Sequence, residues 1–469
     1  MNIKNMKKLN IAIGVLLLSA CFNENNQSTC TAPSYNSDGS FTQEEQIRCY
    51  TPLDMQGAYG LNVLYDMGLT GLGQTIVLID SYGSLTAEED LTVFHENFFP
   101  NKDMPEFQQI ILGTPDYYED WGGEIALDVQ WAHAIAPDAA IHLIMAELGD
   151  GESDTIIAGA IEAITYVANN YPAGTVVSMS FGDPESAYTE GYYTDTELLE
   201  MEAALQLGIE NGITFFASAG DYGSSSGEDE PSILYPASSA YVTAVGGTLL
   251  QYGWSWYPNS DSYTIDYVSY NPDYFNTNNN PMQRLETVWN EAWLGLATGG
   301  GISTLFDIPD WQAPVADKIY ANSGSGRGIP DLAWSASVNG GVLIYDDGTW
   351  EVVGGTSSSS PQTAAFFSLM NQHLASEGMD YIGHLNPWLY QLNDGNAFND
   401  ILPVSQGTVL AGEQVSNQLF EYLDDGSLTY SDVAGYSTTQ GWDLTTGFGS
   451  PRGKAFLDAL VAVMSENDD

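Results

Sequence analysis

From about Tyr50 the chain alternates short, continuous apolar runs with longer amphipathic stretches, and that rhythm restricts the fold more than any other feature. Ile76–Ile79, Ile141–Met145, Val176–Ser180, Ile213–Ala219, Val242–Val245 and Gly341–Tyr345 read as strands buried on both faces. Thr155–Asn169 and Thr196–Asn211 carry helical spacing, and Gly212 stands where a helix C-cap glycine belongs. Strands alternating with helices predict an α/β fold, a mainly parallel sheet with helices on both faces. Ligands of such sheets bind beyond the carboxyl ends of the strands, so polar residues just after the apolar runs are the candidates for chemistry.

Gly354-Gly355-Thr356-Ser357-Ser358-Ser359-Ser360-Pro361 is the first of these places. It predicts a strand, a sharp turn and a helix over Gln362–His373, with Pro361 opening the helix. Ser357, in the turn, would have its oxygen near the positive end of the helix dipole, where an oxyanion is stabilised. That makes Ser357 the candidate nucleophile. The plainer reading of the same residues is a serine-rich loop that caps a helix.

Trp121–Pro137 predicts a helix that is apolar on every side except at Glu124, Asp128, Gln130 and His133, and hence a buried one. Glu124 and Asp128 are four apart and share a face, with no Lys or Arg in the segment to offset them. Such a pair is expected to hold a proton between its members, one pKa raised and the other lowered, so that one carboxylate can act as a general base. Two acids on a solvated face would be the ordinary alternative, and the apolar surroundings argue against it. His133 falls on the opposite side of the helix and reads as a core histidine.

In Ile213–Gly223 an apolar strand runs into Gly220-Asp221, placing the Asp221 carboxyl at the mouth of the sheet. In a dry site that acid stays protonated and can donate a hydrogen bond to a developing oxyanion. A turn-forming aspartate is the alternative.

The N-terminus has its own logic. Lys4, Lys7 and Lys8 precede an apolar run, Ile11–Leu18, too short to span a bilayer, which is the pattern of an export signal. Leu18-Ser19-Ala20-Cys21 resembles a bacterial lipobox, so residues 1–20 are expected to be a lipoprotein signal peptide and Cys21 the site of a lipid anchor. Ordinary signal cleavage beside an incidental cysteine is the other reading. The protein is then exported, as a cell-envelope lipoprotein or a secreted protein. Cys30 and Cys49 remain, an even pair expected to form a disulfide. Residues 21–48 read as a polar tether. Sixty-two acidic residues face ten basic ones, a formal charge of -52. Nucleic acid and anionic lipid surfaces are excluded as partners by that charge, which suits an acidic or a salty workplace.

Taken together these segments resemble the sedolisins, the serine-carboxyl peptidases, which share the subtilisin-like fold but use Glu and Asp where subtilisins use His and Asp. The likeness runs from Tyr50-Thr51-Pro52 to Gly447-Phe448-Gly449-Ser450-Pro451. It passes through Ser178-Met179-Ser180-Phe181-Gly182, Tyr235-Pro236-Ala237, Gly299-Gly300-Gly301 and Ile329-Pro330-Asp331. The resemblance implies one peptidase domain over 49–465, with Ser357 as nucleophile, Glu124 as its base, Asp128 behind Glu124 and Asp221 in the oxyanion hole. It also implies one structural Ca2+, with Asp400, Ile401, Thr439, Gly441 and Asp443 as its site. Thr439 stands where the family usually has glycine, and an acidic turn is the plain alternative.

Other departures are Phe181 in place of the family's tryptophan, a Tyr- and Asn-rich stretch over Gln251–Arg284 that reads as a lid or a surface hairpin, and no recognisable prodomain. The expected activity is acid endopeptidase action on proteins or peptides by a monomer. Two rivals stand beside it. One is a histidine-dependent subtilase using Asp80, disfavoured because none of the five histidines has a matching context. The other is a surface binding protein that keeps the fold without the chemistry.

Overall fold

Ile76 and Leu78 pack into one hydrophobic core and Val77 and Ile79 into another, as a strand covered on both faces requires. That strand, β1 (Thr75–Ser81), lies inside an eight-stranded sheet. Its other members are β2 (Phe107–Ile111), β3 (Ala140–Ala146), β4 (Val176–Met179), β5 (Thr214–Ser218), β6 (Val242–Tyr252), β7 (Arg284–Val288) and β8 (Leu332–Ser335). The order is β7-β6-β5-β4-β1-β3-β2, with β8 also paired to β6. Every pairing is parallel except β6 with β7. The computed structural model describes residues 18–19, 29–35, 41–113, 121–146, 156–252, 284–292, 294–392, 395–402, 415–422 and 428–467.

Helices cover the two faces. α1 (Gly122–Ile135) and α4 (Thr356–Glu377) share a core with Ile76 and Leu78, to which Ile125, Leu127, Trp131, Ala364, Ala365 and Phe367 contribute. α2 (Ile156–Asn170) and α3 (Asp195–Glu210) share the other, with Ile157, Ile164, Val167, Met201 and Leu205 facing Val77 and Ile79. α3 opens on a capping box, in which Glu197 N–H donates to the Thr194 hydroxyl while Thr194 N–H donates to the Glu197 carboxylate. It ends at Gly212 in the left-handed region, φ +80°.

Three expectations need correction. Gly341–Asp346 is a strand, but it stands outside the main sheet. It forms an antiparallel hairpin with Thr349–Val353 through a turn with Asp347 and Gly348 both at positive φ. It also pairs in parallel with Cys49 and Tyr50. Part of the expected tether over 21–48 is β structure instead, Thr29–Tyr35 pairing antiparallel with Phe41–Tyr50. The apolar run of Gly341–Tyr345 announces a strand but not its partners, and the polar sequence of 21–48 gives no hydrophobic period to announce one. Finally, α4 begins at Thr356 rather than Gln362, which puts Ser357 in the first turn of the helix and Pro361 inside it.

Cys49 is disulfide-bonded, and Cys30 stands on the adjacent strand with its side chain outside the described residues. Residues 1–17, Cys21 and 253–283 also lie outside them. The described ends of the Tyr- and Asn-rich stretch continue the β6–β7 ladder, Gln251 opposite Leu285 and Tyr252 opposite Arg284.

Candidate active site

Because the sheet is parallel, the carboxyl ends of β1, β4 and β5 open at one edge. Asp80 lies near the end of β1, Ser180 follows β4, and Asp221 follows β5 by three residues. α1 delivers Glu124 and Asp128 to this edge from its first two turns, and α4 delivers Ser357 from its first turn. Ser357, Asp80 and Asp128 have no exposed surface, and Glu124 retains 5%.

Glu124 is the meeting point. Burial raises its pKa well above the ordinary carboxyl value, the charges of Asp80 and Asp221 raise it further, and the neighbouring Ser357 hydroxyl works in the opposite direction. The Ser357 Oγ and both Glu124 oxygens have no formed hydrogen bond, so the hydroxyl stands beside the carboxyl without being locked to it. Looseness of this kind before substrate binds is normal for a nucleophile and its base.

Asp128, one turn further along α1, is also pushed well above the ordinary value, by burial first and then by Asp80 and Glu124. The expected splitting of the pair, one member raised and the other lowered, is therefore not observed. The physical reason is burial, the leading cause for both, to which a third acid adds its charge: Asp80 has both oxygens unpartnered and a pKa raised to about 7 by its own burial. Among the described residues no Lys, Arg or His offsets the three carboxyls. Their titrations are linked: the first proton to leave is shared out among the three, and the charge it leaves behind holds the others more tightly. Asp128 receives the Ser180 hydroxyl at 2.8 and 3.0 Å.

Asp221 is held from α4. Its Oδ1 accepts the Thr356 N–H and the Thr356 hydroxyl, both at 2.8 Å, while Gly220 N–H donates to that hydroxyl at 3.0 Å. Burial raises Asp221 to about 6, and its Oδ2 has no partner. With Oδ1 occupied by two donors, the proton of the neutral acid resides on Oδ2. That oxygen would lie 2.7 Å from a Cβ built at Gly355, whose φ is +103°. Only glycine leaves room for the carboxyl there. Among the described residues the Ser357 N–H has no acceptor, as expected for a first-turn helix N–H. It gives the site a second free donor beside the nucleophile.

Sequence reasoning named Ser357, Glu124, Asp128 and Asp221, and the fold brings all four together. It treated Asp80 only as the acid of a rival mechanism, and it assigned nothing to Ser180 or Thr356. Their position at strand and helix ends was the available signal. His133 is a core residue: its Nε2 lies 3.0 Å from His95 Nδ1, and burial lowers its pKa to about 3.

The residues implied for Ca2+ meet at a turn near the C-terminal end of the chain. Gly441 N–H donates to Asp400 Oδ2 at 2.9 Å and Thr439 N–H to Asp443 Oδ2 at 2.8 Å, so both carboxylates reach one turn. Oxygen donors of this kind fit a hard cation that completes its shell with carbonyls and water. Ile401, next to Asp400, is buried. Lys318 already brings a positive charge to the turn, its Nζ donating to Gln440 O and Trp442 O at 2.5 Å and to the Thr439 hydroxyl at 3.1 Å.

Comparison with known proteins agrees with this architecture. The profile of the subtilase family matches residues 120–381. Kumamolisin of Bacillus sp. (strain MN-32) is 30% identical over 449 residues, spanning 92% of this chain and 67% of kumamolisin. Tripeptidyl-peptidase 1 of Bos taurus is 25% identical over 415 residues, 81% of this chain and 61% of that protein. The chain thus spans about two thirds or less of the length of these relatives. Among solved structures, Pseudomonas sedolisin, a serine-carboxyl proteinase complexed with pseudo-iodotyrostatin, has the same fold. It gives a TM-score of 0.66 at 23% identity, over 89% of this chain and 99% of that one.

Proposed function

The chain belongs to the sedolisin family, serine-type peptidases of subtilisin-like fold, and from that premise we propose that it cleaves peptide bonds in proteins or peptides at acidic pH. One observation carries the reading. The unpartnered Ser357 hydroxyl neighbours a buried carboxyl able to take its proton, and Thr356, the residue before it, holds a second carboxyl whose free oxygen can donate one.

Ser357 Oγ attacks the scissile carbonyl and its proton passes to Glu124. The oxyanion accepts hydrogen bonds from the Asp221 Oδ2–H and the Ser357 N–H, both fixed before reaction, in a site that excludes water. As the C–N bond breaks, Glu124 returns the proton to the leaving amine. Water then attacks the acyl ester, Glu124 takes its proton, and Ser357 recovers it as the acid product leaves. Asp128 and Asp80 share the negative charge of the carboxyl group that accepts the proton.

The pH range follows from the two acids. Asp221 must be protonated, which ends near pH 6. The group of Glu124, Asp128 and Asp80 must have lost one proton, so that Glu124 can accept that of Ser357, and this sets the acid limit. Export with a lipid anchor at Cys21, and one structural Ca2+ on the Asp400 and Asp443 turn, belong to the same proposal. Digestion of a quenched peptide library from pH 3 to 8 with wild type and Ser357→Ala tests it. Cleavage confined to the wild type and declining above pH 6 is expected; equal cleavage by the variant would overturn it. A non-catalytic binding role has no observation in its favour, since the four matched groups are intact and converge.

A further inference from the structure

Ser180 is 1% exposed and follows β4 directly. Its hydroxyl oxygen lies 2.8 and 3.0 Å from the two Asp128 oxygens and 3.5 Å from the Ser357 carbonyl oxygen. A hydroxyl has one proton, so it cannot serve Asp128 and Ser357 at once. The Ser357 carbonyl is unusual in its own right. In a regular helix it would accept the N–H four residues on, and that residue is Pro361, which has none. Among the described residues Ser180 is also the only hydrogen-bond donor to Asp128. The charged groups facing Asp128 are Asp80 from β1 and Glu124 from its own helix, both acids; β4 and α4 present only the hydroxyl of Ser180 and the backbone of Ser357.

We propose that Ser180 is a positioning residue that turns its single proton between Asp128 and the nucleophile's own carbonyl, and so links the charge of the carboxyl group to the placement of Ser357. When Asp128 is ionised, Ser180 donates to it. When Asp128 carries a proton, its O–H donates to Ser180 Oγ, and the Ser180 proton is released to the Ser357 carbonyl that Pro361 leaves open. No bond to carbon forms or breaks, and the proton count is the same on both sides. The inference rests on the peptidase reading for its kinetic consequence but not for its structural one.

The test uses the full chain as wild type, Ser180→Ala and Ser180→Thr. In kinetics across pH, Ser180→Ala should lower kcat with KM within about twofold. It should also move the acid limb up by about one pH unit, the size expected when a carboxylate loses one charge-assisted hydrogen bond. Ser180→Thr, which keeps the hydroxyl, should return the limb. The second readout is thermal unfolding across the same pH range, which needs no activity. The Tm deficit of Ser180→Ala should grow as pH rises and Asp128 ionises. A deficit independent of pH, or an acid limb that stays in place, overturns the proposal. Absence of wild-type cleavage together with a pH-dependent deficit would overturn the peptidase reading and leave the Ser180 linkage standing.

Discussion

Thr356 gives both its backbone N–H and its hydroxyl to the same oxygen of Asp221, at 2.8 Å each. This fixes which oxygen is left to carry the proton, and an asparagine can copy it. The Asn carbonyl would accept both Thr356 donors and the amide would present N–H where Oδ2 stands. Asp221→Asn should therefore keep activity above pH 6, where the wild type falls as Asp221 ionises. Asp221→Ala should lose about 100- to 1,000-fold in kcat below pH 6, where the wild type is active. Profiles of kcat against pH for the three proteins decide the matter. A wild-type-like decline in the Asn variant would show that another group sets the neutral limb.

The buried acids make a second prediction, about stability. Asp80, Asp183 and Glu351 are raised to about 7, and Asp221 and Asp346 to about 6, with burial the leading cause in each. A carboxyl raised in the fold stabilises it fully below its unfolded pKa, near 4, and loses that contribution as pH rises through the folded value. His133 and His384, lowered to about 3 and about 4, act in the opposite sense and lose their contribution as pH falls below about 6.5. Five carboxyls outweigh two imidazoles, even with Asp346 and Glu351 discounted for their partial exposure. Tm should be higher at pH 5 than at pH 8, with most of the fall between pH 5 and 7. A Tm that rises across this interval would contradict the burial of these groups.

Gly355 is the third test. At φ +103° any side chain is strained, and a methyl group would stand 2.7 Å from Asp221 Oδ2. Gly355→Ala should cost about 1–3 kcal/mol of stability. It should also depress kcat by displacing Asp221, so calorimetry and kinetics should fall together. Normal turnover in a folded Ala variant would exclude Asp221 Oδ2 from the reaction.

The turn carrying Asp443 supplies a fourth. Asp443 Oδ1 accepts the N–H and hydroxyl of both Thr445 and Thr446, and its Oδ2 accepts Thr439 N–H. An amide cannot accept on both atoms, so Asp443→Asn should destabilise the fold by about 1–3 kcal/mol. Chelation should lower the wild-type Tm, with recovery on adding Ca2+. A Tm indifferent to chelator would remove the metal and leave the Lys318 ammonium as the cation of this turn.

The parts legible in the sequence were those with a one-dimensional signature. Apolar runs such as Ile76–Ile79 announce buried strands, and Glu124 with Asp128 on an otherwise apolar helix announces a buried acid pair. What stayed hidden depends on which segments become neighbours. Asp80 joins the acid pair only because β1 lies beside β4, with Ile79 opposite Met179. Ser180 reaches Asp128 across 52 residues and Ser357 across 177. Lys318 meets its turn across more than 120 residues. The apolar run of Gly341–Tyr345 is visible as a strand, but its pairing with Thr349–Val353 and with Cys49 and Tyr50, outside the main sheet, is not.

The helices that carry the base and the nucleophile pack directly against each other within a single hydrophobic core. Catalytic registry is thus borrowed from the interior: Ala126, Leu127, Ala364 and Ala365 are buried in that shared core, so their volumes bear on how far apart two distant reactive groups come to rest. A methylene added or deleted there would be read out by turnover long before the chain unfolds, which turns the enzyme's own rate into a caliper for its packing.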